Sequence, residues 1–148
     1  MKTVFETRFS KVGESATHYQ SAKINSSVAA CEWAKNCLGE YFADKLDQEE
    51  FLIATLDTQH RVRRVVRITR GTLDASLVHP REVFRAAIAD AAASILLIHN
   101  HPSGDPTPSR QDYAVTETLR KVGEIVGIKV LDHIVVGNYA VSLAESMQ

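Results

Sequence analysis

Residues 94–112 read Ser94-Ile95-Leu96-Leu97-Ile98-His99-Asn100-His101-Pro102-Ser103-Gly104-Asp105-Pro106-Thr107-Pro108-Ser109-Arg110-Gln111-Asp112. The apolar run 94–98 predicts a buried strand that delivers two histidines at its exit. Side chains two apart on a strand share a face, so His99 and His101 point the same way and Asn100 the opposite way. Pro102, Gly104, Pro106 and Pro108 keep the following loop out of regular structure, and Asp112 returns beyond it. Two imidazoles and a carboxylate are ligand types that zinc takes. Three protein ligands leave a fourth position for water, which is the pattern of a catalytic zinc centre.

Ser109-x-x-Asp112 ahead of an apolar helical pattern also reads as a capping box, with Ser109 at the N-cap and the acid at N3. The two readings are compatible, because a carboxylate in a first helical turn is held rigidly and can face the histidines. Ser109 is then placed to hydrogen-bond a developing oxyanion. The helix spans about residues 109–126 and stops at Gly127, a natural C′ residue.

Working outward, Asn25, Ser26 or Ser27 caps a helix whose apolar positions are Val28, Cys31, Ala34, Leu38, Tyr41, Phe42 and Leu46. Residues 51–56 read as a buried strand, 57–60 as a turn and 61–69 as the return strand of a hairpin, closed by Gly71. Pro80 opens a second helix through Val83, Phe84, Ala87, Ile88 and Ala91. Residues 128–136 and 139–143 form a last hairpin around Gly137-Asn138. Residues 1–24 have weak periodicity and are assigned no firm structure. The order α-β-β-α-β-α-β-β predicts an α/β domain of the α+β type, a mixed sheet flanked by helices.

At 148 residues, with a formal net charge of −1, 45% hydrophobic and 24% charged residues, the composition is that of an ordinary globular domain. The charge gives no global attraction to nucleic acid or an anionic membrane. No apolar segment approaches the ~20 residues a membrane helix needs, and the first residues lack the apolar stretch of a secretory signal; a cytoplasmic location is the expectation. Cys31 and Cys37 match no common zinc or redox spacing and read as reduced packing residues.

A hydrolytic centre needs a general base. The acidic candidates away from the loop are Glu49, Glu50, Asp57, Glu82, Glu117 and Asp132, and spacing does not choose among them. His79 and Glu82 start a helix, where the dipole favours the acid; a contact behind the metal position is the alternative. Asp132 and His133 lie on a strand, either as a buried carboxylate–imidazole pair or exposed. The run from His60 to Arg70 is basic. It reads as the solvent face of an outer strand, with a contact to phosphate or an acidic partner as the alternative.

The pattern His-x-His-Pro, then Ser and Asp, at His99, His101, Ser109 and Asp112 resembles the JAMM motif of MPN-domain metalloproteases. The wider wording His79-Pro80-Arg81-Glu82, residues 99–104 and residues 131–137 resembles the bacterial RadC family, over about residues 47–145. The resemblance implies a JAMM/MPN metalloprotease-like (cytidine-deaminase-like) fold, with residues 1–46 an N-terminal extension and helix and 47–148 the MPN domain. It implies Zn2+ held by His99, His101 and Asp112, with Ser109 assisting at the oxyanion. In the family pattern the base is a glutamate just before the first strand of the domain, which falls on Glu49 with Glu50 as the fallback. The implied activity is hydrolysis of a peptide, isopeptide or related amide. A non-catalytic scaffold and a DNA-repair or mobile-element accessory role are the alternatives, the last predicting contacts through Arg61, Arg63, Arg64, Arg67 and Arg70. Residues 1–46 are short for the helix-hairpin-helix-like region of longer RadC proteins and lack its Gly-containing hairpin. The contiguous His-Asn-His is unlike HNH nucleases, whose signature residues are spread along a ββα unit. No membrane partner is expected, and oligomeric state is not readable.

Overall fold

The computed structural model describes residues 2–6, 11–15, 22–43, 47–71 and 78–146. Among the described residues seven strands form one mixed sheet in the order β2-β1-β4-β3-β5-β6-β7. They are β1 (Lys2–Glu6), β2 (Lys11–Ser15), β3 (Glu49–Leu56), β4 (Val62–Gly71), β5 (Ser94–Asn100), β6 (Lys129–Val136) and β7 (Ala140–Ser142). The helices are α1 (Ser27–Ala43), α2 (Pro80–Ala89), α3 (Arg110–Val126) and the single turn α4 (Leu143–Ser146). Pairs β1–β4 and β5–β6 are parallel and the others antiparallel.

Strand periodicity divides the core between the two faces of the sheet. Leu52, Ala54, Leu56, Leu96 and Ile98 pack under α1 against Trp33, Ala34, Cys37, Leu38 and Phe42. Phe51, Ile53, Ile95 and Leu97 pack on the opposite face with Val83, Phe84 and Ala87 of α2 and Leu119 of α3. With both faces covered, β3 and β5 are buried almost throughout, which is why they read as continuous apolar runs rather than alternating ones.

Local signals account for the element ends. Ser26 Oγ accepts from Ala29 N–H at the start of α1. Asp57 Oδ1 accepts from the N–H groups of Gln59 and Arg61 in the β3–β4 turn, where His60 has a φ of 61°. Pro80 opens α2, and Gly127 closes α3 in the left-handed conformation. The expected continuation of α1 to Leu46 lies outside the described residues.

Several expectations are corrected. Residues 2–6 and 11–15 are strands: β1 pairs in parallel with β4 through Val4–Val65 and antiparallel with β2. The β4 strand that anchors β1 to the sheet lies some sixty positions along the chain, and β2 joins the sheet only through β1. For the same reason β4 is an interior strand and not an outer one, being covered by β1 on one side and β3 on the other. Val28 and Ile88 are exposed rather than core residues. Ala91 lies past the end of α2, in a left-handed turn of φ 53°.

Candidate metal centre

β3 and β5 run antiparallel with Phe51 opposite His99. Two residues back along β3 therefore lies opposite two residues on along β5, which sets Glu49 beside His101. Both histidines emerge on the α2/α3 face, and α3 begins above them. Its capping box is complete: Ser109 Oγ accepts from Asp112 N–H at 3.1 Å, and Asp112 Oδ2 accepts from Ser109 N–H at 2.7 Å. That reciprocal pair fixes the Asp112 carboxylate over the strand ends.

Four side chains consequently converge. His99 Nε2 is 3.0 Å from His101 Nε2 and 3.1 Å from Asp112 Oδ1, and His101 Nε2 is 3.3 Å from Asp112 Oδ2. Glu49 Oε1 stands further off, at 3.4 Å from His99 Nε2 and 3.9 Å from His101 Nε2. Ligand-capable atoms of Glu49, His99 and His101 all lie within 4.8 Å of one another.

The donor set fits a zinc ion. His101 Nδ1 lies 2.9 Å from the Asp105 carbonyl, which only accepts, so this nitrogen carries the proton and Nε2 offers a lone pair. Separations of 3.0–3.3 Å among the two Nε2 atoms and the Asp112 oxygens approach the edge, about 3.3 Å, of a tetrahedron with zinc-ligand arms of about 2.0–2.1 Å. Lone pairs pointed at one another over such distances repel unless a cation lies among them.

The charges respond to this crowding. In the metal-free site burial pushes the Asp112 carboxyl up, but the protonated forms of the adjoining His101 and His99 imidazoles and the hydrogen bond from Ser109 N–H outweigh it and hold the group well below the usual carboxylate range. Burial pulls His101 down, and its contacts with Asp112, the Asp105 carbonyl and Glu49 more than compensate, leaving it raised. Burial raises Glu49, opposed by the two histidines, and the net shift is upward. An acid shifted towards neutrality beside a metal position suits proton transfer.

Asn100 and His133 hold these groups from behind. The Asn100 side chain turns to the opposite face, as strand alternation predicts. There its Oδ1 accepts from Glu50 N–H at 2.7 Å and its Nδ2 donates to the Gln48 carbonyl at 3.0 Å. It thus clamps the chain on both sides of Glu49. Glu50 points away from the histidines; it is fully buried, accepts from Tyr41 O–H and lies 4.0 Å from Arg67. His133 Nε2 lies 2.7 Å from His99 Nδ1. Burial, then the neighbouring His99, lowers its pKa well below the ordinary histidine value.

His133 and Asp132 are both buried, on opposite faces of β6 rather than as a carboxylate–imidazole pair. Asp132 accepts from Ser27 Oγ, Ser142 Oγ and the N–H groups of His133 and Ala144, joining α1 to the end of the chain. Glu82 and His79 do not border the cavity over the histidines, which encloses about 370 Å³. Its walls include Ser109, Phe51, Val78 and Val115. Within the arginine run, Arg64 Nε at 2.6 Å and Arg63 Nε at 3.8 Å share the buried Asp90 carboxylate, and Arg67 Nη1 lies 4.0 Å from Glu50 Oε2. Cys31 and Cys37 both lie in α1, half-buried and buried respectively, and neither borders the cavity. Burial first, then the charges of Asp132 and Glu145, push Cys31 up to about 11, which suits packing and not reactivity.

A mixed sheet flanked by helices, with these acids and histidines gathered at one strand end, defines a JAB/MPN-like domain. The chain belongs to the RadC-like JAB domain family, whose model matches residues 26–148. It is 52% identical over 91 residues to the UPF0758 protein of Pelobacter propionicus, covering 62% of this chain and 40% of that protein. It is 55% identical over 93 residues to the UPF0758 protein of Desulforamulus reducens, covering 63% and 41%. The UPF0758 protein TTE0897 of Caldanaerobacter subterraneus subsp. tengcongensis is 48% identical over 114 residues, 77% of this chain and 48% of the relative. The chain spans less than half the length of these curated relatives. Among the described residues no helix is long and apolar enough to cross a membrane.

Proposed function

We propose that this domain is a zinc-dependent hydrolase of amide bonds, acting on a peptide or isopeptide. His99, His101 and Asp112 hold the metal, Glu49 is the general base and Ser109 supports the oxyanion. The observation that carries this reading is the convergence of both Nε2 atoms on the two oxygens of one rigid carboxylate, with Glu49 Oε1 a step further out. Zinc, when bound, supplies a Lewis acid that lowers the pKa of a water towards ~7.

The chain's own groups do the rest. Glu49 accepts the proton of the attacking water and returns it to the departing amine, which its raised pKa favours. Ser109 Oγ already accepts from Asp112 N–H, so its own proton is available to a carbonyl oxygen becoming an oxyanion. Phe51, Val78 and Val115 line the cavity beside these groups and offer apolar surface to a substrate.

Metal analysis of the purified protein is the test. One zinc per chain in the wild type and none in the His99→Ala/His101→Ala double variant is expected. A metal-free wild type, or a double variant that keeps its zinc, overturns the assignment. Zinc without cleavage of any peptide or isopeptide substrate would leave a scaffold in place of an enzyme.

A further inference from the structure

Behind His99 lies a chain of short contacts that the hydrolytic reading does not use. Asp112 O and Thr116 Oγ1 are 2.7 Å apart, Thr116 Oγ1 and His133 Nδ1 are 2.6 Å apart, and His133 Nε2 and His99 Nδ1 are 2.7 Å apart. We propose that Thr116 and His133 are positioning residues, forming a one-way hydrogen-bond relay that fixes the tautomer and orientation of His99. This inference rests on the reading of His99 as a metal ligand.

The direction of the relay follows from its first member. A backbone carbonyl only accepts, so the single Thr116 hydroxyl proton goes to Asp112 O. Thr116 then has only lone pairs to offer His133, and the proton in that contact is on His133 Nδ1. Both nitrogens of this buried ring face uncharged partners, a hydroxyl and an imidazole, so the ring carries one proton and Nε2 is a lone pair. The proton between the two histidines therefore belongs to His99 Nδ1. His99 Nε2 is left as a lone pair, 3.1 Å from Asp112 Oδ1. The relay runs from His99 on β5 through His133 on β6 to Thr116 and the Asp112 main chain on α3, so the elements that carry His99 and Asp112 are tied together.

The ring of His133 is held for this task. Phe51 meets it edge-on with centroids 5.5 Å apart and stacks on His99 at 6.2 Å. An extra residue on β6 aims it: Ile95 pairs with Val130, but the next β5 residue, Leu96, pairs with Asp132. Leu131 is left over, which brings His133 onto the same face as Val130, three positions away.

The experiment measures zinc dissociation constants by competition with a chromophoric chelator, together with metal-free melting temperatures. His133→Met removes the acceptor for His99 Nδ1–H, and zinc affinity should fall roughly 10–100-fold, the usual cost of losing a partner of a ligating histidine. His133→Gln carries Oε1 about where Nε2 was and should recover most of that loss. Thr116→Val keeps the shape, is least able to perturb folding, and should weaken zinc in the same direction by a smaller factor. Nitrogen-15 spectra of the zinc-loaded wild type should show the Nδ1–H tautomer for both His99 and His133. Unchanged affinity in His133→Met, a His133→Gln no better than His133→Met, or an Nε2–H tautomer on His133 would each overturn the relay. A wild type that binds no zinc would remove the metal centre and this role with it. Tight wild-type binding alongside an unaffected His133→Met would remove the relay alone.

Discussion

Glu49 and Glu50 are adjacent in the chain and leave β3 on opposite faces of the sheet. Glu49 Oε1 is 3.4 Å from His99 Nε2, whereas Glu50 is buried beneath α1 with Tyr41 donating to it. Two similar acids thus acquire different environments, one opening on the cavity over the histidines and the other enclosed. Glu49→Gln should retain zinc and reduce amide cleavage by about 10²–10⁴-fold, the range of a lost general base. Glu50→Gln should alter the melting temperature and leave turnover standing. Paired zinc analysis and turnover assays check this, and the opposite ranking would make Glu50 the base.

Asn100 brackets Glu49 through Glu50 N–H and the Gln48 carbonyl. Asn100→Ala would leave a buried donor and acceptor without this partner, costing about 1–3 kcal/mol. It would also free the segment that aims Glu49, and a misplacement near 1 Å can cost about 100-fold in rate. The expected signature is a lowered melting temperature and lowered kcat with zinc affinity unchanged. Loss of zinc in this variant would contradict a role confined to Glu49.

How far these placements were legible depends on how local their causes are. The shared face of His99 and His101 follows from strand period, and the position of Asp112 from a capping box three residues long; both are written within one stretch of chain. The place of Glu49 beside His101 depends on strand pairing, which residue pattern alone leaves open among six acids; only the family likeness singled out 49 and 50. His133 was less legible still, since its face is set by the extra residue at Leu131 in a parallel pair. The arginines of β4 read as an outer strand because their cover, β1, comes from a distant and weakly patterned segment. The carboxylate that Arg64 meets, Asp90, sits at the end of α2.

Opposed shifts at Asp112 and His101 give a definite pH dependence in the metal-free protein. The Asp112 pKa is depressed on folding, so its contribution is present above the unfolded value of about 3.9 and fades as pH falls below it. The His101 pKa is raised, so its contribution is full below about 6.5 and fades as pH climbs through the higher folded value. Both charges coexist between these limits. Asp112→Asn should therefore destabilise the metal-free protein most from about pH 4 to 6.5, by roughly 1–3 kcal/mol, with smaller differences on either side. Denaturant melts across pH measure it, and a pH-independent difference would contradict the pairing.

The loop that supplies the Asp105 carbonyl to His101 is pinned by a close approach of two glycines. His101 N–H donates to the Val136 carbonyl at 2.9 Å, and Asn138 N–H donates to the Gly104 carbonyl at 2.7 Å. A Cβ on Gly137 would stand 2.4 Å from Gly104 O, and one on Gly104 would meet the Asn138 side chain at 2.9 Å. The first clash is with backbone and cannot be relieved by a rotamer change; Gly104 in addition has a φ of +93°. Gly137→Ala should push residues 102–106 away from the β6–β7 turn and slacken the hold of Asp105 O on His101 Nδ1. Zinc affinity should fall by about tenfold or more, in line with loss of a partner behind a ligating histidine, although residue 137 touches none of the proposed ligands. Gly39→Ala is the matched control, because a Cβ there meets nothing within 4 Å and should stabilise α1 slightly. Equal zinc affinity in the two variants would show that the glycine contact does not govern the site.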